Sequence, residues 1–189
     1  IADYRRGVLS AEKCFQLECE ACSGTAKQDL DRFLDSQLID ESFAGFHEYL
    51  DSHGIPHFIL SDGMDYYIKR ILENNGLGNV PYYSNHLELV ASGDGGGVIF
   101  EPSFPYSDSE CDRCACCKRN MMISMASDDD IIVYIGEGFS DRCPVRYADI
   151  VFAKDGFLIV AEHNRVLNFP AAEFFYEGPD VAVIEVVPQ

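Results

Sequence analysis

The chain has 189 residues, 47% of them hydrophobic, with 32 acidic against 14 basic side chains and a formal charge of −18. That balance excludes broad electrostatic binding to nucleic acid or to an anionic membrane, since both surfaces would repel it. No apolar stretch reaches the ~18 residues that span a bilayer, and the opening Ile1-Ala2-Asp3-Tyr4-Arg5-Arg6 does not read as a signal peptide, so the expected compartment is the cytoplasm.

Ser10 to about Asp51 carries helical periodicity, with Thr25 and Gln28 at capping-box spacing and Leu30, Phe33, Leu34 and Leu38 on one stripe. Phe43, Phe46, His47 and Leu50 continue it on a further helix, which His53-Gly54-Ile55-Pro56 stops. His57-Phe58-Ile59-Leu60 reads as a buried strand, Ser61-Asp62-Gly63 as a turn, and Met64, Tyr67, Ile68, Ile71 and Leu72 as a helix ending at Asn75-Gly76. Tyr82-Tyr83 and His86 to Ala91 have strand character, and a glycine-rich loop returns the chain through Val98-Ile99-Phe100 as a hairpin. A helix is expected over Lys118 to Met125, a strand over Ile131 to Ile135, a helix after Asp141 and a strand over Asp149 to Ala153. Val181 to Val187 has strand composition without a place in this order. Alternation of strand and helix predicts an α/β fold, a Rossmann-like three-layer sandwich with a mostly parallel sheet and a small helical cap. On that plan residues 1–9 start the cap or a linker, 10–53 form the cap and 54–189 the core.

The chemistry concentrates at few places. The strand over 131–135 ends in Gly136-Glu137-Gly138-Phe139-Ser140-Asp141, a glycine turn with two carboxylates four positions apart. Such a pair can serve one hard cation such as Mg²⁺, which takes oxygen ligands; the plain alternative makes Glu137 a solvated turn residue and Asp141 a helix N-cap. Cys111, Cys114, Cys116 and Cys117 invite a zinc-thiolate site, but no second C-x-x-C accompanies them, which leaves free or redox-active thiols beside Lys118 as the competing reading. Cys14, Cys19 and Cys22 fit small core residues of a helix. Ser61 lacks the preceding glycine of a nucleophile elbow, Ile59 standing there, and neither a P-loop nor H-E-x-x-H occurs.

In order and spacing, Ser61 at a strand end, Lys118 at a helix start and the Glu137/Asp141 turn resemble motifs two, three and four of the haloacid dehalogenase-like hydrolases. Ile59-Leu60-Ser61-Asp62-Gly63-Met64-Asp65 and Cys116-Cys117-Lys118 are most similar to the phosphoserine phosphatase branch, and within it to the methylthiopentenyl-phosphate phosphatases; the resemblance covers roughly residues 1–155. It implies an Mg²⁺-dependent phosphatase acting on a small phosphorylated substrate through an aspartyl-phosphate. Ser61 would bond a phosphoryl oxygen, the backbone N–H groups of Asp62 and Gly63 would complete the cradle, Lys118 would neutralise charge, and Glu137 and Asp141 would serve the metal. The helical segment would close over the substrate.

Two departures accompany the resemblance. The first motif, an Asp-x-Asp at the end of a central strand, is missing: Asp128-Asp129-Asp130 precedes its strand, and Asp3 starts a helical segment. Without that strand its neighbours would lose ladder partners, so the expectation is a nucleophile upstream of Ile1 and no catalysis by these residues alone. Glu137 stands where the family usually has Asp, extending the side chain by about 1.5 Å. The alternatives are therefore a catalytically silent, phosphatase-like protein binding a ligand or partner, and a structural zinc-thiolate protein built on residues 111–117. Nothing in the pattern speaks to oligomeric state.

Overall fold

The computed structural model describes residues 2–93, 97–111, 113–136, 139–153, 165–168 and 181–184. In chain order the elements are α1 (Ala2–Arg5), α2 (Ala11–Cys22), α3 (Lys27–Asp35), α4 (Glu41–Ser52), β1 (His57–Met64), α5 (Asp65–Asn74), β2 (Tyr82–Ala91), β3 (Val98–Ser103), α6 (Lys118–Met125) and β4 (Ile132–Gly136). Two 3-10 turns, Phe139–Arg142 and Pro144–Tyr147, then lead to β5 (Ile150–Ala153), β6 (Arg165–Asn168) and β7 (Val181–Ile184). The chain divides into two compact units, the first from residues 1–38, 62–78 and 84–117, the second from 39–61, 79–83 and 118–189. These units do not follow the boundaries expected from sequence, because α4 groups with β4 to β7 while α2 and α3 group with the β2–β3 hairpin.

The second unit is an α/β assembly on parallel strands. β4 pairs with β5 on one side and β7 on the other, β6 lies outside β5, and β7 pairs with β1, all in parallel register. Val181–Ile184 thus finds the place that the sequence left open. It pairs with His57–Ile59 and with Ile132–Ile135 at once. The unpaired seam expected beside β1 and β4 is therefore closed, because a short β-branched run supplies both missing ladders. Phe58, Leu60, Met122, Ile132, Tyr134, Val145, Ala148 and Val151 form one core between strands, α6 and the second 3-10 turn. Each of the larger aliphatic side chains and Phe58 contributes ~1.5–3 kcal/mol on burial. The helix expected after Asp141 is replaced by two 3-10 turns, since Pro144 lacks the N–H that a continuous helix needs.

In this unit α4 buries Phe43, His47 and Leu50. His47 lies on that apolar face as expected, and it is hydrogen-bonded there: its Nδ1 is 2.7 Å from His57 Nε2, while Asn79 Nδ2 approaches its Nε2 at 3.1 Å.

The first unit is built on the antiparallel β2–β3 hairpin, paired from His86 with Ser103 to Ala91 with Val98. The chain after α2 docks against it: Gly24 N–H donates to Val98 O at 2.8 Å, Val98 N–H to Thr25 O at 3.0 Å, and Phe100 N–H to Ser23 Oγ at 3.2 Å. Gly97 has φ +149°, and a Cβ there would overlap the Gly24 carbonyl, so only glycine fits this approach. The expected capping box gives way to this docking. Thr25 Oγ1 donates to Cys22 O at 2.7 Å and α3 begins after Ala26 without a side-chain cap.

A second core joins Cys19, Met64 and Leu87 to Phe15, Tyr66, Tyr67, Leu89, Phe100 and Phe104. Burial pushes the Cys19 thiol up to about 11 and the Tyr67 phenol up to about 12. α3 and α5 are tied by polar bonds: Arg70 holds Asp35 in a two-pronged pair at 2.6 and 2.9 Å, and Tyr66 OH donates to Asp31 Oδ1 at 2.5 Å. Ser61-Asp62-Gly63, expected as a turn, continues β1 as far as Met64. Two hydrogen bonds to Asp62, described below, hold that extension.

Candidate functional site

β4 is apolar and buried until it reaches Gly136. Five residues on, Asp141 sits in the first 3-10 turn and folds back on the strand. A Cβ at position 136 would lie 2.6 Å from Asp141 Oδ2 and 2.9 Å from Tyr134 Cε1. Glycine at the strand end is what admits the carboxylate. Lys118, the first residue of α6, brings Nζ to Asp141 Oδ1 at 2.9 Å, and Tyr134 OH donates to the same oxygen at 2.7 Å. Lys118, Asp141 and Tyr134 are each 0% exposed.

A buried charge is costly unless paired and hydrogen-bonded, and here both conditions hold. The arrangement is an ammonium fixed at the carboxyl end of a parallel strand, where ligands of open α/β sheets gather. Such a cation can bind an anionic group or neutralise charge that develops on one.

Of the residues singled out from sequence, the structure brings Lys118 and Asp141 together. Ser61 is in the same unit, buried in β1. Asp62 and Gly63 follow it in the strand but belong to the first unit. Glu137 and Gly138 lie outside the described residues, as do 94–96 of the hairpin loop and 185–187 of the C-terminal run.

Sequence reasoning passed over Tyr134, which it counted as apolar strand. Its signal was a phenol inside an aliphatic run, because a buried Tyr hydroxyl requires a partner. Asn85 was likewise missed. It is fully buried and its Nδ2 donates to the Asp62 carbonyl at 2.6 Å.

Among the described residues no three His, Cys, Asp or Glu side chains gather as a metal-ligand group. The described residues thus show no zinc-thiolate group at Cys111, Cys114, Cys116 and Cys117. All eight cysteines are thiols. Two of the four are fixed by backbone bonds: Cys116 N–H is tied to Asp62 Oδ1 at 2.8 Å and Cys117 N–H to Tyr106 O at 2.7 Å. Cys117 Sγ donates to Asp108 Oδ2 at 3.9 Å, while Cys111 and Cys114 line a cavity of about 470 Å³ with Glu12, Asp108 and Glu110. For Mg²⁺ the described residues offer Asp141 alone from the expected pair, so they do not by themselves make up its oxygen shell.

Comparison with known proteins adds a direction. The chain is 31% identical over 149 residues to the 2-hydroxy-3-keto-5-methylthiopentenyl-1-phosphate phosphatase of Lysinibacillus sphaericus (strain C3-41), covering 75% of this chain and 61% of that protein. It is similar to methylthiopentenyl-phosphate phosphatases. The phosphatase of the same name from Bacillus mycoides (strain KBAB4) is 28% identical over 151 residues, 77% of this chain and 65% of that protein. That of Bacillus pumilus (strain SAFR-032) is 32% identical over 127 residues, 66% of this chain and 52% of that protein. The chain thus spans less than two thirds of the length of these relatives. No family model matches it. No helix among the described residues is long and apolar enough to cross a membrane.

Proposed function

We propose that the protein is a phosphatase of the haloacid dehalogenase type, acting on a small, soluble phosphomonoester of the kind named by its relatives. The observation that carries the reading is the fully buried Lys118–Asp141 pair behind Gly136. The similarity to phosphatases over three quarters of the chain supports it independently.

In this reading Lys118 neutralises the transferring phosphoryl group, and Asp141 holds that ammonium in place. Ser61 and the backbone N–H groups of Asp62 and Gly63 bind phosphoryl oxygens. Helices α2 and α3 of the expected cap set substrate choice, while α4 belongs with the Rossmann-like core, in the cytoplasm. Mg²⁺, served by Asp141 and Glu137, would offset charge on the phosphate when bound. The reading assigns none of the 189 residues to the attacking aspartate.

The test is calorimetric titration of the full-length protein with orthovanadate, a phosphate mimic. Wild type is expected to bind it, and Lys118→Met, which keeps the buried volume, to lose binding while its far-UV circular dichroism stays native. Equal affinity in the two would overturn the assignment. Glu137 in place of the family's usual Asp favours a second reading, a silent phosphatase-like binder. Vanadate binding without hydrolysis of any phosphomonoester would select it.

A further inference from the structure

Asp62 directly follows Ser61, yet its side chain has no part in the phosphate cradle described above. Its Oδ1 accepts the Cys116 backbone N–H at 2.8 Å, a bond between residues 54 apart in the chain. Its own carbonyl accepts Asn85 Nδ2 at 2.6 Å. All three residues belong to the first unit.

Asn85 is fully buried, and among the described residues its Oδ1 has no hydrogen-bond donor. A half-satisfied buried amide is costly. Packing alone would favour an apolar residue there, so the bond from Nδ2 to the Asp62 carbonyl is what gives Asn85 its use. Asp62 is therefore gripped at both ends, carbonyl and carboxylate. The chain leaves this grip in two directions. One residue back it reaches Ser61, and two residues beyond Cys116 it reaches Lys118. Consecutive Cα atoms are ~3.8 Å apart, so the Asp62–Cys116 bond limits how far the two segments that carry these side chains can separate.

We propose that Asp62, seated by Asn85, is a positioning residue: its carboxylate oxygen sets the spacing between the strand end that carries Ser61 and the segment that delivers Lys118. This rests on the phosphatase reading. At that point Asp62 acts as an acceptor of a backbone N–H, a part that an amide oxygen can also take, more weakly and without the charge.

That distinction gives the test. In the full-length protein, Asp62→Asn keeps the acceptor and loses the charge, whereas Asp62→Glu keeps the charge and moves the oxygen. Vanadate affinity is measured by calorimetry, and hydrogen exchange at the Cys116 amide by mass spectrometry. Asp62→Asn is expected to keep the slow Cys116 exchange of wild type and to bind vanadate more tightly than Asp62→Glu does. Asp62→Glu is expected to exchange faster at Cys116 and to bind vanadate at least ~10-fold more weakly, the loss of about one hydrogen bond to a charged group. The proposal is overturned if Asp62→Glu matches wild type, or if Asp62→Asn is the damaged variant, which would make charge the property that matters. Failure of vanadate to bind wild type would instead sink the phosphatase reading, while the exchange at Cys116 still decides whether Asp62 holds that segment.

Discussion

At Asp141 one oxygen receives both an ammonium and a phenol, in a place where neither charge meets water. Removing the partners separately should show unequal effects. Tyr134→Phe deletes one hydrogen bond to a charged group and is expected to lower stability by ~1.5–3 kcal/mol in urea unfolding. Asp141→Leu leaves the Lys118 charge buried alone and is expected to cost about 3–5 kcal/mol, so it should be the less stable of the two; the reverse order would mean the pair is not the buried ion pair described. Sequence revealed Lys118 and Asp141 because spacing and residue type speak for charged groups. It concealed Tyr134, whose role depends on the direction of one ring, and the need for Gly136, whose cause is a carboxylate five residues further on.

Among the elements, α3 and α5 rest on exposed and half-exposed carboxylates whose partners hold them ionised. The Lys27 ammonium, then the Tyr66 hydroxyl, hold Asp31 below its usual range, and the Arg70 guanidinium, then Asn74, do so for Asp35. Carboxyls depressed in the folded state stabilise it above their unfolded value near 3.9, and that contribution is lost as pH falls through the lower folded values. The urea midpoint of wild type is therefore expected to fall between about pH 5 and pH 3 more steeply than that of Arg70→Met, which lacks the main partner of Asp35. Parallel slopes would contradict this coupling. Helical periodicity revealed these helices, whereas the capping box at Thr25 was a false signal: the hairpin claims the backbone that would have formed it. Gly97→Ala, which would drive a methyl group into the Gly24 carbonyl, is expected to loosen α2 from the hairpin and raise hydrogen exchange at Val98, unlike Gly45→Ala, where a Cβ meets nothing within 4 Å.

For the whole molecule, alternating pattern disclosed an α/β fold with parallel strands but not where its last strand goes. Order along a chain says little about order in a sheet, and Val181–Ile184 carries no local signal that it must lie between β1 and β4. Val183 is paired on both sides, with Phe58 and with Tyr134. Val183→Pro removes a ladder donor from an interior strand and is expected to cost ~3 kcal/mol or more; unchanged stability would contradict the central place of β7. The division into two units cuts across the helical segment read from sequence, because contacts made far along the chain, such as those of α2 with β3, decide it. The central claim is that the strand-end pair of Lys118 and Asp141 serves phosphoryl chemistry. Its most direct test is release of inorganic phosphate from a panel of small phosphomonoesters by the full-length protein with Mg²⁺ present, wild type beside folded Lys118→Met. Wild type is expected to show turnover and the variant none; equal turnover by the two would contradict the phosphoryl role of the pair.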